Sequence, residues 1–458
     1  MRGAGEILLV ATYELGHQPG GITFPKAFLE RAGFRPAALD LQVEPLDAAR
    51  VSRARLVALS VPMHTALRLG LRAAERIREI NPGAALCFHG LYAPLNWRLL
   101  LSAGATAVLG GECEEELVEL ARALERGEAA DRFVQRGGEA ASRRRLDFPV
   151  PSREGLPPPG RYARLAEAAG ERIAGHAEAT RGCKHLCRHC PIPPLYRGRF
   201  FAVPVEVVIE DVVRQAAAGV THVTFGDPDF LNGPAHALRV ARELHRRLPE
   251  LTFDLTAKVE HLVAHAALLP ELRSCGALFA VSAVESLSDR VLARLDKGHT
   301  RADVFRAFDA CRRAGIALRP SLVPFTPWSG LDDYLELLEV VEREGWLPVL
   351  DPVQLSIRLL VPPGSLLLEA GDAELVLQGL DEGGLTHVWR HPDPRMDRLQ
   401  AQVARTVEEA ASAGAGAGEA FDRVRQLALA AAGRAHRHVP APRLPGAAAP
   451  RLTESWFC

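Results

Sequence analysis

Cysteine is scarce: 458 residues hold eight, too few for the disulfide scaffold of an extracellular protein. An excess of charge of one sign is also missing. Fifty-five basic side chains against 56 acidic ones leave a net charge of -1, which argues against binding nucleic acid through bulk positive charge. The cluster Arg143-Arg144-Arg145 reads as a solvated linker. No run of eighteen uncharged apolar residues occurs, so the sequence offers no spanning helix and no membrane contact. The apolar stretch Ile7-Leu8-Leu9-Val10, which follows Met1–Glu6 directly, is too short for a signal peptide and reads as a first buried strand. These features predict a cytoplasmic chain. The length excludes a mini-protein in need of staples and suggests two to four domains, at roughly 100–200 residues each.

What is present is a repeated alternation of apolar strands with amphipathic helices. Strands are predicted over Ile7–Thr12, Ala37–Leu41, Arg55–Val61, Ala84–Phe88 and Thr106–Leu109, the pattern of an α/β parallel sheet covered on both faces. We assign residues 1–125 to this flavodoxin-like unit and 126–172, rich in glycine, proline and arginine, to a linker. A second series follows over 173–365. Its strands are predicted at His176–Thr180, His222–Phe225, Thr252–Ala257, Leu278–Ala283, Ala317–Val323 and Val353–Leu360. Six βα units suggest a partial TIM barrel with its chemistry at the carboxyl ends of the strands. A helical extension over 366–435 and a flexible tail over 436–458 complete the chain.

Three of the eight cysteines crowd into Cys183-x3-Cys187-x2-Cys190, just after the first barrel strand. Three thiolates on one loop can hold three corners of a [4Fe-4S] cluster and leave the fourth iron open. A closed zinc site completed by His185 or His189 is the alternative, although no second cysteine knuckle accompanies it. The spacing resembles that of the radical SAM family. The resemblance implies a cluster that chelates S-adenosylmethionine and cleaves it reductively to a 5'-deoxyadenosyl radical. It also implies an electron donor such as flavodoxin or ferredoxin. By the same resemblance His189 would pack near the adenine, where the family commonly has an aromatic residue. Asp227 and Asp229, in Phe225-Gly226-Asp227-Pro228-Asp229, would face the methionine ammonium, and Glu285 and Ser286 the ribose and carboxylate. Arg319, Ser321 and Arg358 lie on later strands, where an arginine either faces a substrate carboxylate or makes a structural ion pair.

A flavodoxin-like unit ahead of such a barrel resembles the cobalamin-binding class of radical SAM enzymes. In Leu15-Gly16-His17-Gln18-Pro19-Gly20, His17 and Gly20 match the class signature, while Leu15 replaces the aspartate that would polarise the imidazole. Ser60, Gly90, Gly110 and Gly111 complete the cobalamin positions implied by the resemblance. The ending Trp456-Phe457-Cys458 resembles the group with Cys-Cys-Ala-Glu-Pro or Cys-selenocysteine-Ala-Glu-Pro tails. So do Asp227–Asn232, Lys258-Val259-Glu260-His261 and Pro324-Phe325-Thr326-Pro327-Trp328. This implies a coding sequence that continues through a selenocysteine codon, with Cys458 as a redox group. The expected function is a radical SAM enzyme, cobalamin-dependent, with methyl transfer or another radical modification as its outcome. A non-catalytic zinc or corrinoid carrier is the contrasting class.

Overall fold

Fully buried apolar runs build the first sheet of the computed structural model, which describes residues 1–434 and 449–454. Strands β1 (Ile7–Ala11), β2 (Ala37–Asp40), β3 (Leu56–Ser60), β4 (Ala85–His89) and β5 (Ala107–Leu109) pair in the order β2-β1-β3-β4-β5, all parallel. Every residue of β1 and β3 is buried, as expected of strands covered by helices on both faces. The strand order reverses between β1 and β3, and ligands of such sheets settle at that crevice. The loop Thr12–Pro19 and Ser60 border it.

The predicted linker is anchored rather than free. Val134 bridges to Val108 of β5 and Ser142 to Gly111, while Phe148 is buried with its ring edge-on to Phe24. At the junction Arg153 donates to both oxygens of Asp211 at 2.8 Å, to Gln18 Oε1 at 2.8 Å and to the His176 carbonyl at 2.7 Å.

The second sheet runs β13-β12-β11-β10-β7-β6-β16. Its parallel part is β7 (Gly170–Ala177), β10 (His222–Phe225), β11 (Thr252–Thr256), β12 (Ala277–Glu285) and β13 (Ala317–Leu322). β6 (Arg164–Glu167) pairs antiparallel with β7, and the short β8 (Thr180–Gly182) pairs with β9 (Phe200–Ala202). Two expectations need correction. The first barrel strand lies earlier than predicted. The sixth strand, expected over Val353–Leu360, contributes only a bridge between Phe325 and Arg358. There Asp351 caps a 3-10 turn over Pro352–Leu355, and Pro352 lacks the N–H that a ladder needs. The curled half-barrel therefore has five parallel strands among the described residues.

The expected helical extension contains helices Pro394–Ser412 and Ala417–Ala431, but an exposed hairpin, β14 (Leu377–Asp381) and β15 (Thr386–Trp389), precedes them. The predicted flexible tail includes β16 (Arg451–Leu452), which adds to the edge of β6. From there Glu454 accepts a hydrogen bond from the Tyr13 hydroxyl at 2.6 Å. Trp456, Phe457 and Cys458 lie outside the described residues. No described helix is long and apolar enough to cross a membrane.

Candidate functional site

At the carboxyl end of the half-barrel, β8 delivers the chain to the cysteine loop through Gly182. That residue has φ +75°, and a Cβ there would stand 2.4 Å from the Tyr196 ring and 2.6 Å from the Arg199 carbonyl; only glycine fits. Asn232 fastens the loop from the next strand end. Its Oδ1 accepts from Lys184 N at 3.2 Å and lies 3.7 Å from Cys183 Sγ. Cys183 and Cys187 are buried, Cys190 is half-buried, and all three are free thiols. Burial, joined by the neighbouring cysteines, pushes the Cys190 thiol up to about 12 and raises Cys183 as well. Thiols so crowded and so reluctant to ionise alone need a cation to stabilise their thiolates. This donor set fits three corners of a [4Fe-4S] cluster. The other described cysteines, Cys87, Cys113, Cys275 and Cys311, belong to the apolar core.

Opposite the loop, Glu285 is joined in a buried ion pair whose pairing the sequence did not reveal. Lys297 Nζ is 3.0 Å from Glu285 Oε1, and His189 Nε2 is 3.2 Å from the same oxygen. Burial works against the Glu285 carboxylate, but Lys297 and His189 outweigh it and hold it well below the ordinary range. Burial likewise opposes the Lys297 charge, and Glu285, followed by Cys187, overcomes it. Glu285 has φ +62°, a strained conformation for a residue with a side chain. Ser286 turns its hydroxyl to accept from Ser288 N at 3.1 Å.

The two aspartates after β10 face the protein. Asp227 accepts from Ala179 N at 2.9 Å and Thr180 Oγ1 at 2.6 Å, bracing β8, and burial lifts it to about 7. Asp229 Oδ1 accepts from Leu231 N at 3.0 Å, while Oδ2 lies 2.6 Å from His261 Nδ1. Arg358 pairs with Asp397 at 2.6 Å and stacks on Trp389, which makes it the structural alternative of the two weighed for it. Arg319 is half-buried, with Nη1 unpartnered.

Across the junction, the carboxyl edge of the first sheet holds the remaining predicted residues. His17 stacks on His176 of β7 with ring centroids 5.0 Å apart. Burial lowers both imidazoles to about 3, aided by His176 at His17 and by Arg153 at His176, so both are neutral. In place of an aspartate at position 15, Glu14 reaches into the crevice. It accepts from Gly21 N at 3.0 Å and lies 3.3 Å from Ser60 Oγ. Burial raises it to about 8. The room left by Gly110 and Gly111 is used by the chain itself. A Cβ on Gly110 would stand 2.3 Å from Pro94 Cγ, and one on Gly111 would stand 1.9 Å from the Ser142 carbonyl. Gly90 similarly faces the Val61 backbone. Buried His89 Nε2 has no hydrogen-bond partner here. An unpartnered ring nitrogen on His89, beside the neutral His17 and Ser60 at this edge, fits a polar ligand.

Residues 178–338, which span the cysteine loop and strands β8 to β13, match the model of the Radical SAM superfamily. This segment is a radical SAM domain. The chain is 27% identical over 242 residues to the tRNA-2-methylthio-N(6)-dimethylallyladenosine synthase of Geobacter sulfurreducens. The match covers 50% of this chain and 48% of that protein, so the chain spans about half the length of that curated relative. Among solved structures, the radical S-adenosylmethionine methyltransferase TsrM from Kitasatospora setae, with cobalamin and a [4Fe-4S] cluster bound, superposes with a TM-score of 0.65 and 16% identity. The alignment covers 94% of this chain and 100% of TsrM. The cobalamin-dependent S-adenosylmethionine radical enzyme OxsB gives a TM-score of 0.67 at 16% identity, covering 88% of this chain and 67% of its own. At such identities the likeness shows the fold: a radical SAM domain behind a parallel sheet, in the order found here.

Proposed function

We propose that the chain is a radical SAM enzyme whose first sheet carries a corrinoid. The observation that carries this reading is the trio Cys183, Cys187 and Cys190 at the mouth of a parallel half-barrel, facing the buried Lys297–Glu285 pair. A [4Fe-4S] cluster held by those thiols supplies the electron that splits S-adenosylmethionine into methionine and a 5'-deoxyadenosyl radical. Lys297 faces the thiolates and lowers the cost of gathering three negative sulfurs. Glu285, kept charged by Lys297 and His189, presents a fixed carboxylate at the end of β12 for a hydroxyl-bearing or cationic part of the bound nucleoside. Ser286 and His189 stand beside it. Asp227 braces β8 from behind, and Asp229 Oδ1 caps the turn at Leu231 N.

His17 and Ser60 mark the corrinoid edge, which the likeness to TsrM and OxsB supports, while Gly90, Gly110 and Gly111 let the chain itself pack closely there. With a corrinoid bound there, methyl transfer to an unactivated carbon or phosphorus is the favoured outcome. The substrate class stays open to peptides, lipid-like molecules and small metabolites. A small electron donor such as flavodoxin or ferredoxin is the partner the chemistry needs, and free, sparse cysteines suit the reducing cytoplasm.

Anaerobic reconstitution with iron, sulfide and hydroxocobalamin, followed by a reductant and S-adenosylmethionine, tests the reading. A brown protein that yields 5'-deoxyadenosine and retains corrinoid through desalting is expected. A colourless protein that holds only zinc on its cysteines overturns it in favour of a structural zinc protein.

A further inference from the structure

We propose that His185, Asp229 and His261 form a second metal site, beside the cysteine loop, for a divalent first-row transition metal. The inference goes beyond the reaction proposed above and stands on different residues. His185 sits on the loop between Cys183 and Cys187, Asp229 on the turn after β10, and His261 on helix Val259–Ala264 after β11. Adjacent strands bring the three together so that one ligand atom from each lies within 4.8 Å of the others. Asp229 Oδ2 is 2.6 Å from His261 Nδ1 and 4.0 Å from His185 Nε2. Metal–ligand bonds of about 2.0–2.1 Å in a tetrahedral site place donor atoms roughly 3.3 Å apart, between these two separations.

Unpartnered atoms point the same way. Asp229 and His261 are almost wholly buried, and Asp229 Oδ2 and His261 Nδ1 lack a hydrogen-bond partner despite lying 2.6 Å apart. They converge without the alignment of a hydrogen bond, and leaving such atoms unsatisfied in the interior is costly. A cation between them satisfies both. Glu260 supplies the outer contact expected of a metal-bound histidine: its Oε2 is 3.6 Å from His185 Nδ1, which leaves Nε2 as the coordinating atom. Lys258 opposes a cation here, but its ammonium is 3.3 Å from the same Glu260 carboxylate. Within the protein alone, His185 Nε2 and His261 Nε2 lie 3.1 Å apart, within hydrogen-bond distance.

Two imidazoles and a carboxylate suit Zn2+, Fe2+ or Co2+, and three protein ligands leave coordination positions open to water or a substrate oxygen or nitrogen. The site shares a residue with the cluster loop, since His185 lies between Cys183 and Cys187. It would hold and polarise a substrate group within the same mouth.

The test uses the full chain, reconstituted anaerobically with iron and sulfide, desalted and titrated with Co2+. One Co2+ per chain is expected beyond the cluster iron, with visible d–d bands and no sulfur-to-cobalt charge transfer. His185→Ala and His261→Ala should lose this cobalt while iron and sulfide per chain stay unchanged. Asp229→Asn, which keeps the shape, should lose it too, and Glu260→Gln should weaken it roughly tenfold or more. The combined Cys183→Ala, Cys187→Ala and Cys190→Ala chain should lose the iron and keep the cobalt. No extra cobalt, or cobalt that disappears with the cysteines and shows thiolate charge transfer, overturns the proposal. Cobalt retained by a chain that yields no 5'-deoxyadenosine sinks the reaction reading alone.

Discussion

The carboxyl ends of the two parallel sheets face each other across the junction, and they treat charge in opposite ways. At the half-barrel mouth one buried pair keeps its charge. Lys297 and Glu285 hold each other ionised in the interior, and the thiols beside them await a cation. At the edge of the first sheet the groups without an opposite partner are discharged: His17, stacked on His176 of β7, is neutral at about 3, and Glu14 stays protonated up to about 8. Burial alone cannot separate the two cases, since both regions are buried. The difference lies in whether an opposite charge accompanies each group inward. A mouth that keeps its charges suits an ionic nucleoside and a metal centre. An edge that discharges them suits a large ligand held by hydrogen bonds and contact.

Four changes sharpen or break this contrast. The largest effect belongs to the cysteines: alanine at 183, 187 and 190 together should abolish iron and sulfide incorporation, while His17→Ala leaves both intact by elemental analysis. Next comes Lys297→Met, which strands a buried carboxylate. It should cost about 3–5 kcal/mol in denaturant unfolding of the cluster-free chain, and adding Glu285→Gln should recover most of the loss.

The third concerns pH at the sheet edge, where the two kinds of group pull in opposite directions. Glu14 rises from 4.5 to about 8 on folding, so its contribution is full below 4.5 and is lost as pH rises through 8. His17 falls from 6.5 to about 3, so its contribution is full above 6.5 and is lost as pH falls through 3. Glu14→Gln should flatten the alkaline limb of unfolding free energy against pH, and His17→Gln the acid limb, each by on the order of a few kcal/mol across its window. Unchanged limbs would place water at both groups. The smallest effect compares two glycines of similar backbone. Gly111 has φ +71° and Gly127 φ +75°, but a Cβ meets the Ser142 carbonyl at the first and nothing within 4 Å at the second. Alanine should cost about 1 kcal/mol at 127 and clearly more at 111, as read from thermal unfolding.

Much of this architecture is legible in the sequence because it is local. A cysteine spacing of three and two, and apolar runs of four to six residues between amphipathic helices, sit within single windows of chain. The strands of the first sheet fall within a residue or two of their predicted bounds for that reason. What stayed hidden depends on neighbours distant in sequence. Asp229 and His261 meet because β10 and β11 lie side by side, and Lys297 reaches Glu285 by doubling back beneath the end of β12. Glu14 replaces the missing aspartate at position 15 from one residue away, facing Ser60 rather than His17. β16 pairs only two residues with β6, too short a run to carry a pattern. The sixth barrel strand failed for a local reason that was legible after all, because Asp351-Pro352 is a turn signal.

Arg181 joins the two halves one step from the thiols. It donates to Glu178 at 2.9 Å, pairs with Glu114 and Glu112 from the first sheet, and lies over the Phe24 and Phe148 rings. Only Gly182 separates it from Cys183. That one guanidinium therefore ties the segment after β5 to the strand that delivers the sulfur donors, with a single glycine between the tie and the first thiol.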